Sequence, residues 1–283
     1  MLFRSQRLFL ADYEIVKKMR ASILVLGPLL ARFGQAVVAL PGGCAIGARP
    51  VNLHLMALEA LGASFSIENG YVKGKVANSL KGCKIKFAFE SVGATANTIM
   101  AAVLAKGTSE LVNVAREPEI IDLCKCLKSM GCKIQGEGEG TIIIEGVDSL
   151  RETTHKVIMD RIELGTFIIA GAISDSELEL TGGNITLLEN FVDKLYEVGI
   201  EVSQSEGNIR VRRMNSASIK CTNVLTEPFP GFPTDLQAQM MALLSVADGV
   251  SSIEEQIFEN RYMHVPELIR MGANIEINGR KAI

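Results

Sequence analysis

Three kinds of segment hold residues whose types and spacing could do chemistry. The first is the loop Pro41-Gly42-Gly43-Cys44-Ala45-Ile46-Gly47-Ala48-Arg49-Pro50. Its glycines let the loop move and let its backbone approach a ligand closely. A thiol near Arg49 in such a loop can have a lowered pKa; an ordinary turn with a buried cysteine fits the same residues. The second kind is the helix start. Ser91-Val92-Gly93-Ala94-Thr95 would offer free backbone donors to a phosphate, or be a simple Ser91 N-cap. Asp235 lies in Phe232-Pro233-Thr234-Asp235-Leu236-Gln237. It reads first as an N-cap, with Thr234 as the other candidate, and second as a general base facing a cleft. Asp160-Arg161-Ile162-Glu163 reads as an N-terminal charge arrangement at a helix start or a hinge salt bridge, with a structural role favoured. The third kind is a pair, Arg116-Glu117-Pro118-Glu119 and Phe258-Glu259-Asn260-Arg261-Tyr262, in equivalent places of an internal repeat.

Composition removes several classes. The 283 residues carry a net charge of −3, no Trp and 5% aromatic residues. That gives no support to nucleic-acid binding through bulk charge or base stacking. The six cysteines form no C-x-x-C pair and there are three histidines, so no zinc site or other metal site is expected. Gly136-Glu137-Gly138-Glu139-Gly140 resembles a phosphate loop only superficially: its glutamates would repel phosphate, and it reads as a hairpin turn. There is no Walker A lysine motif and no Rossmann fingerprint, and no cofactor is expected. The apolar stretch Ala21–Leu40 is broken by Pro28, Arg32 and Gln35, so no membrane span is expected. No secretory pattern opens the chain, and the reading is a reduced, cytoplasmic protein.

The elements that must position these segments follow a repeat. Leu58-x-x-Leu61-Gly62, Leu127-x-x-Met130-Gly131, Leu195-x-x-Val198-Gly199 and Leu268-x-x-Met271-Gly272 place their glycines 69, 68 and 73 residues apart. Each glycine ends a helical pattern and precedes an alternating one, as a C′ glycine does before a strand. Hairpins often follow, such as Ser64–Ile67 and Tyr71–Val76 around Glu68-Asn69-Gly70. Half a period earlier come small-residue helices over 20–34, 91–107, 160–175 and 234–249, apolar almost all round and so expected to be buried. The fold class is α/β, in units of about 70 residues, with sheets outside and helices inside.

Taken in order, Met19-Arg20-Ala21-Ser22-Ile23, the Cys44 loop, Ser91–Thr95, Ala115–Glu119, Asp160–Glu163, Phe232–Asp235 and Glu259–Glu267 closely resemble the enolpyruvyl transferases that act on UDP-N-acetylglucosamine. The match runs from about residue 12 to the C-terminus. The resemblance implies βαβαββ-type units forming inside-out α/β barrels, three units per domain, with substrates bound between the domains. It places residues 1–158 in the first domain and 159–283 in the second. It implies transfer of the enolpyruvyl group from phosphoenolpyruvate to the 3′-hydroxyl of UDP-N-acetylglucosamine, the first committed step of peptidoglycan synthesis, with phosphate released. By the same resemblance Cys44 is the proton donor and the target of fosfomycin, and Asp235 contacts and deprotonates the 3′-hydroxyl. Arg49 helps hold phosphoenolpyruvate. Arg20, Arg49, Pro50, Val51, Asn52, Leu53, Ser91, Val92, Gly93, Asp235 and the Ile257 backbone contact the nucleotide sugar. Asn52 replaces the family's usual Asp. The family's Lys-Asn motif would lie upstream of residue 1, and its Asp-Leu-Arg motif beyond Ile283. The chain therefore reads as four of six units, with little activity expected alone; the alternative is a non-catalytic nucleotide-sugar-binding fragment.

Overall fold

The computed structural model describes residues 10–11, 13–16, 20–40, 51–214 and 218–283. The Cys44, Arg49 and Pro50 assignments lie outside them. The chain divides into two compact units, with the change of unit between Val157 and Ile158.

Unit 1 contains two copies of the repeat. The first runs β1 (Leu10–Ala11), α1 (Tyr13–Val16), a 3₁₀ helix (Arg20–Val25), α2 (Leu26–Phe33), β2 (Gln35–Ala39), α3 (Asn52–Ala60), β3 (Ala63–Glu68) and β4 (Tyr71–Val76). The second runs β5 (Lys84–Lys86), α4 (Val92–Ala102), β6 (Thr108–Val112), α5 (Pro118–Ser129), β7 (Lys133–Gln135) and β8 (Thr141–Glu145). Their sheets have the orders β1-β2-β4-β3 and β5-β6-β8-β7. In each, the first pair is parallel and the other pairs antiparallel. A βαβ crossover followed by a hairpin produces that pattern.

Unit 2 repeats the plan. Its first copy holds α6 (Arg161–Ile173), β9 (Leu178–Thr181), a 3₁₀ turn (Ile185–Leu188), α7 (Glu189–Glu197), β10 (Ile200–Ser205) and β11 (Asn208–Arg213). Its second holds β12 (Asn223–Leu225), a 3₁₀ helix (Thr234–Leu236), α8 (Gln237–Leu244), β13 (Ser252–Glu254), α9 (Val265–Arg270), β14 (Ile277–Asn278) and β15 (Lys281–Ala282). The sheets are β10-β11-β9 and β12-β13-β15-β14. Among the described residues the three-stranded sheet has no counterpart of the leading strand, so that copy departs from the full βαβαββ plan.

The repeat glycines take the predicted role. Gly62, Gly131, Gly199 and Gly272 have φ of 104°, 102°, 88° and 104°, one residue beyond the caps of α3, α5, α7 and α9. The β3–β4 hairpin turns on Asn69 (φ 52°) and Gly70 (φ 76°), a type I′ pair, with Glu68 in the strand and not in the turn. Residues 136–140 join β7 to β8 as a hairpin connection, with Glu137 paired to Lys128.

The burial expected of the small-residue helices holds for α4 but not all round α6, which buries Leu164, Ile168 and Ile169 and leaves Phe167 50% exposed. In α4, Ala94 through Ile99, Ala101 and Ala102 are buried, and α2 and α3 pack against it. Each unit has its own apolar core, one around Leu26, Leu58, Ile99 and Leu111 and one around Ile168, Phe191, Leu236 and Met240. Burying each such side chain contributes about 1.5–3 kcal/mol. Among the described residues no helix is long and apolar enough to cross a membrane.

Candidate functional site

In unit 1 the site segments converge on a residue the sequence reading missed. Asn97 lies fully buried in α4. Its Oδ1 accepts from the Gly27 N–H at 2.7 Å, and its Nδ2 donates to the Ile23 carbonyl at 3.2 Å. The same Nδ2 lies 3.0 Å from His54 Nδ1. An amide nitrogen can only donate, so His54 Nδ1 must accept, and the neutral imidazole carries its proton on Nε2. One amide thus ties the Arg20–Val25 helix, α2 and α3 to α4. Gly27 allows the approach: a Cβ there would lie 2.3 Å from the Asn97 carbonyl oxygen. The His54 ring in turn packs beside Gly93, where an added Cβ would meet Cε1 and Nε2 at 3.2 Å.

This hub fixes where the predicted contacts sit. Arg20 opens the 3₁₀ helix, Asn52 and Leu53 open α3, and Ser91 caps α4 by accepting from Ala94 N–H at 3.4 Å. Val51 is half-buried, Asn52 exposed and Leu53 buried, so Asn52 is the one of the three whose side chain faces solvent. The Val92 and Gly93 amides belong to the first turn of α4, where the N–H groups have no intrahelical acceptor and the dipole favours an anion. Thr95 is also spent internally, its hydroxyl accepting from Ala115 N–H at 3.1 Å.

Unit 2 holds the other predicted contacts, and here the capping expectation fails. Pro233 occupies the cap position, and no side chain caps the Thr234–Leu236 helix. Thr234 donates instead to Glu255 Oε2 at 2.8 Å, and Asp235 Oδ1 accepts from Arg261 Nη2 at 2.5 Å. Stronger, longer-range partners have taken both side chains away from the helix end. Arg261 also lies over the Phe258 ring, 5.1 Å from its centroid. Asp235 is half exposed, so its carboxylate remains open to a ligand while Arg261 orients it. The Ile257 N–H donates to Glu255 at 2.9 Å, which leaves its carbonyl as the group it can present.

The paired rim motifs do matching work. Arg116 Nε lies 3.3 Å from Glu90 Oε1, just before the start of α4, as Arg261 meets Asp235 just before α8. Asp160 caps α6, accepting from Ile162 and Glu163 N–H at 2.8 and 3.1 Å, a more specific role than the charge arrangement read from sequence. Burial pushes the Cys124 thiol up to about 12 and raises those of Cys83 and Cys132, which makes them poor nucleophiles. Burial, then the Arg261 charge, lowers the His264 pKa. Among the described residues no group of three or more His, Cys, Asp or Glu could hold a metal ion.

This fold and these helix starts define a class, the enolpyruvyl transferase architecture. The chain belongs to the EPSP synthase (3-phosphoshikimate 1-carboxyvinyltransferase) family, which it matches over residues 3–282. More particularly, it is 59% identical over 272 residues to the UDP-N-acetylglucosamine 1-carboxyvinyltransferase of Dinoroseobacter shibae, covering 96% of this chain and 64% of that protein. It is 62% identical over 273 residues to the protein of that name from Cereibacter sphaeroides, with the same coverage. The chain thus spans 64% of the length of these curated relatives. Among solved structures it is similar to the enolpyruvyl transferase NikO from Streptomyces tendae, with a TM-score of 0.84 at 21% identity, covering 97% of this chain and 65% of that one. EPSP synthase from Acinetobacter baumannii gives a TM-score of 0.62 at 16% identity, covering 93% and 62%.

Proposed function

We propose that this chain carries the nucleotide-sugar site and part of the reaction centre of an enolpyruvyl transferase acting on UDP-N-acetylglucosamine. The observation that carries this reading is the sequence identity of about 60% to proteins of that name, extending over 96% of the chain. In the reaction the sugar 3′-hydroxyl adds to C2 of phosphoenolpyruvate while C3 takes a proton. Loss of a C3 proton and of phosphate then restores the double bond. Asp235 is the group assigned to accept the hydroxyl proton, and Arg261 fixes the direction its carboxylate faces. The helix start at Ser91–Gly93, with Arg20 and Val51–Leu53, is assigned to the nucleotide sugar. Cys44 as proton donor and Arg49 as anion ligand rest on sequence resemblance alone. Residues 1–158 and 159–283 are assigned to the first and second domains of the enzyme, in the cytoplasm.

The test is a calorimetric titration of UDP-N-acetylglucosamine into the chain, followed by phosphate release with phosphoenolpyruvate. Saturable binding is expected. Asp235→Asn should bind the sugar and lower any phosphate release by about 100-fold or more. Absence of saturable binding by a folded chain would overturn the assignment.

A further inference from the structure

We propose that Glu255 is the positioning residue for the unit 2 part of the site. The inference rests on the proposed function, because the groups it holds are those assigned to the sugar. Glu255 is fully buried, and its carboxylate accepts four hydrogen bonds. Oε1 takes the Thr226 hydroxyl at 3.0 Å, the Ile257 N–H at 2.9 Å and the Phe258 N–H at 3.0 Å. Oε2 takes the Thr234 hydroxyl at 2.8 Å. Among the described residues no lysine or arginine side chain forms an ion pair with this carboxylate; Arg280 Nη1 donates instead to the Glu255 backbone carbonyl at 3.3 Å. A buried charge without a counter-ion is tolerated only when its acceptor sites are filled, and a carboxylate has about four of them. Withdrawal of any one donor therefore raises the cost of the whole arrangement, which makes the carboxylate a clamp with little geometric freedom.

The donors come from three separated stretches, and the contacts close into a ring. Glu255 holds Phe258, whose ring lies against Arg261; Arg261 holds Asp235; its neighbour Thr234 returns to Glu255. Thr226 braces the same turn by accepting the Gln256 N–H at 3.0 Å. With two successive amides turned inward, the Ile257 carbonyl is left to face a ligand. Glu255 touches neither substrate nor reacting atoms in this account; it acts through Asp235 and Ile257.

The experiment uses the full chain and compares Glu255→Leu, Glu255→Gln and Thr234→Val. Hydrogen–deuterium exchange without ligand reads residues 232–237 and 255–260, and calorimetry reads affinity for UDP-N-acetylglucosamine. Glu255→Leu should speed exchange in both segments and weaken binding, each by about tenfold or more. Glu255→Gln keeps a carbonyl for the two amides and an NH₂ that Thr234 can accept, so it should stay within about threefold of the parent on both measures. Thr234→Val should speed exchange at 232–237 alone and weaken binding by about three- to tenfold, and it carries the test if Glu255→Leu does not fold. Unchanged exchange, or altered exchange with unchanged affinity, would overturn the proposal. If the parent chain binds no nucleotide sugar, the proposed function falls, while the exchange measurements still decide whether Glu255 organises these two segments.

Discussion

Units 1 and 2 share one supersecondary plan but hold their site segments by different chemistry. In unit 1 the neutral Asn97 amide binds helix to helix, and Ser91 remains free to cap α4. In unit 2 the Glu255 carboxylate binds loop to helix start. Thr234, in the place of Ser91, gives up capping to serve it. The consequence is visible in the backbone: α4 is α-helical from its first residue, whereas α8 is entered through a 3₁₀ turn. An uncapped helix end is the local cost of aiming Asp235 outward with Arg261 at its side. A repeat can therefore keep its fold while one copy surrenders local stability to hold a carboxylate outward.

The sharpest way to break the contrast is to remove the unit 1 hub. Asn97→Leu would remove the side-chain hydrogen bonds to the Gly27 N–H, the Ile23 carbonyl and His54 Nδ1 in a buried setting, and should cost about 2–5 kcal/mol in urea unfolding. A loss below about 1 kcal/mol would mean the helices hold themselves by apolar packing alone.

Next in size is a matched pair of glycines. Gly107 and Gly249 follow the buried helices α4 and α8 with φ of 91° and 106°. A Cβ at 107 meets nothing within 4 Å, but at 249 it would lie 2.9 Å from Cys221 Sγ. Gly107→Ala should cost about 1 kcal/mol of backbone strain and Gly249→Ala about 2 kcal/mol, measured by the same unfolding curves. Equal losses would show that the Cys221 side chain yields freely.

The caps should rank below that. Asp160→Ala removes two good hydrogen bonds and should cost about 1 kcal/mol, while Ser91→Ala removes one long one and should cost about 0.5 kcal/mol. Thermal melts at neutral pH would check the order.

The smallest effect is on pH dependence. Burial, then the Arg261 charge, holds folded His264 below its ordinary 6.5. Between those two values the unfolded chain binds a proton that the folded chain does not, so stability falls as pH drops through 6.5 toward the lowered value. His264→Gln should flatten the stability curve in that window; an unaltered slope would remove His264 as its source.

Local features of the repeat were legible because they answer local demands. A C′ glycine is written where φ must be positive, and Asn69-Gly70 where a two-residue turn must match strand twist. The apolar run of α4 announced its burial. Asn97 and Glu255 gave no such signal. Asn97 sits between Thr95 and Thr98 in an alanine-rich helix with nothing local to mark it out, and its partners Ile23, Gly27 and His54 are 74, 70 and 43 residues away. Glu255 looks like the end of an ordinary strand, yet it gathers Thr226 and Thr234 from 29 and 21 residues upstream. Thr234 and Asp235 misled the capping reading for the same reason: helix-start residues bond locally unless a distant partner binds better, and only the assembled unit brings Glu255 and Arg261 within reach. The sequence alone thus determined the repeat, its turns and its family, since those follow from backbone conformation and apolar period. The tertiary structure decided which polar groups are spent inside and which are left exposed, because hydrogen-bond partners are chosen by distance in space.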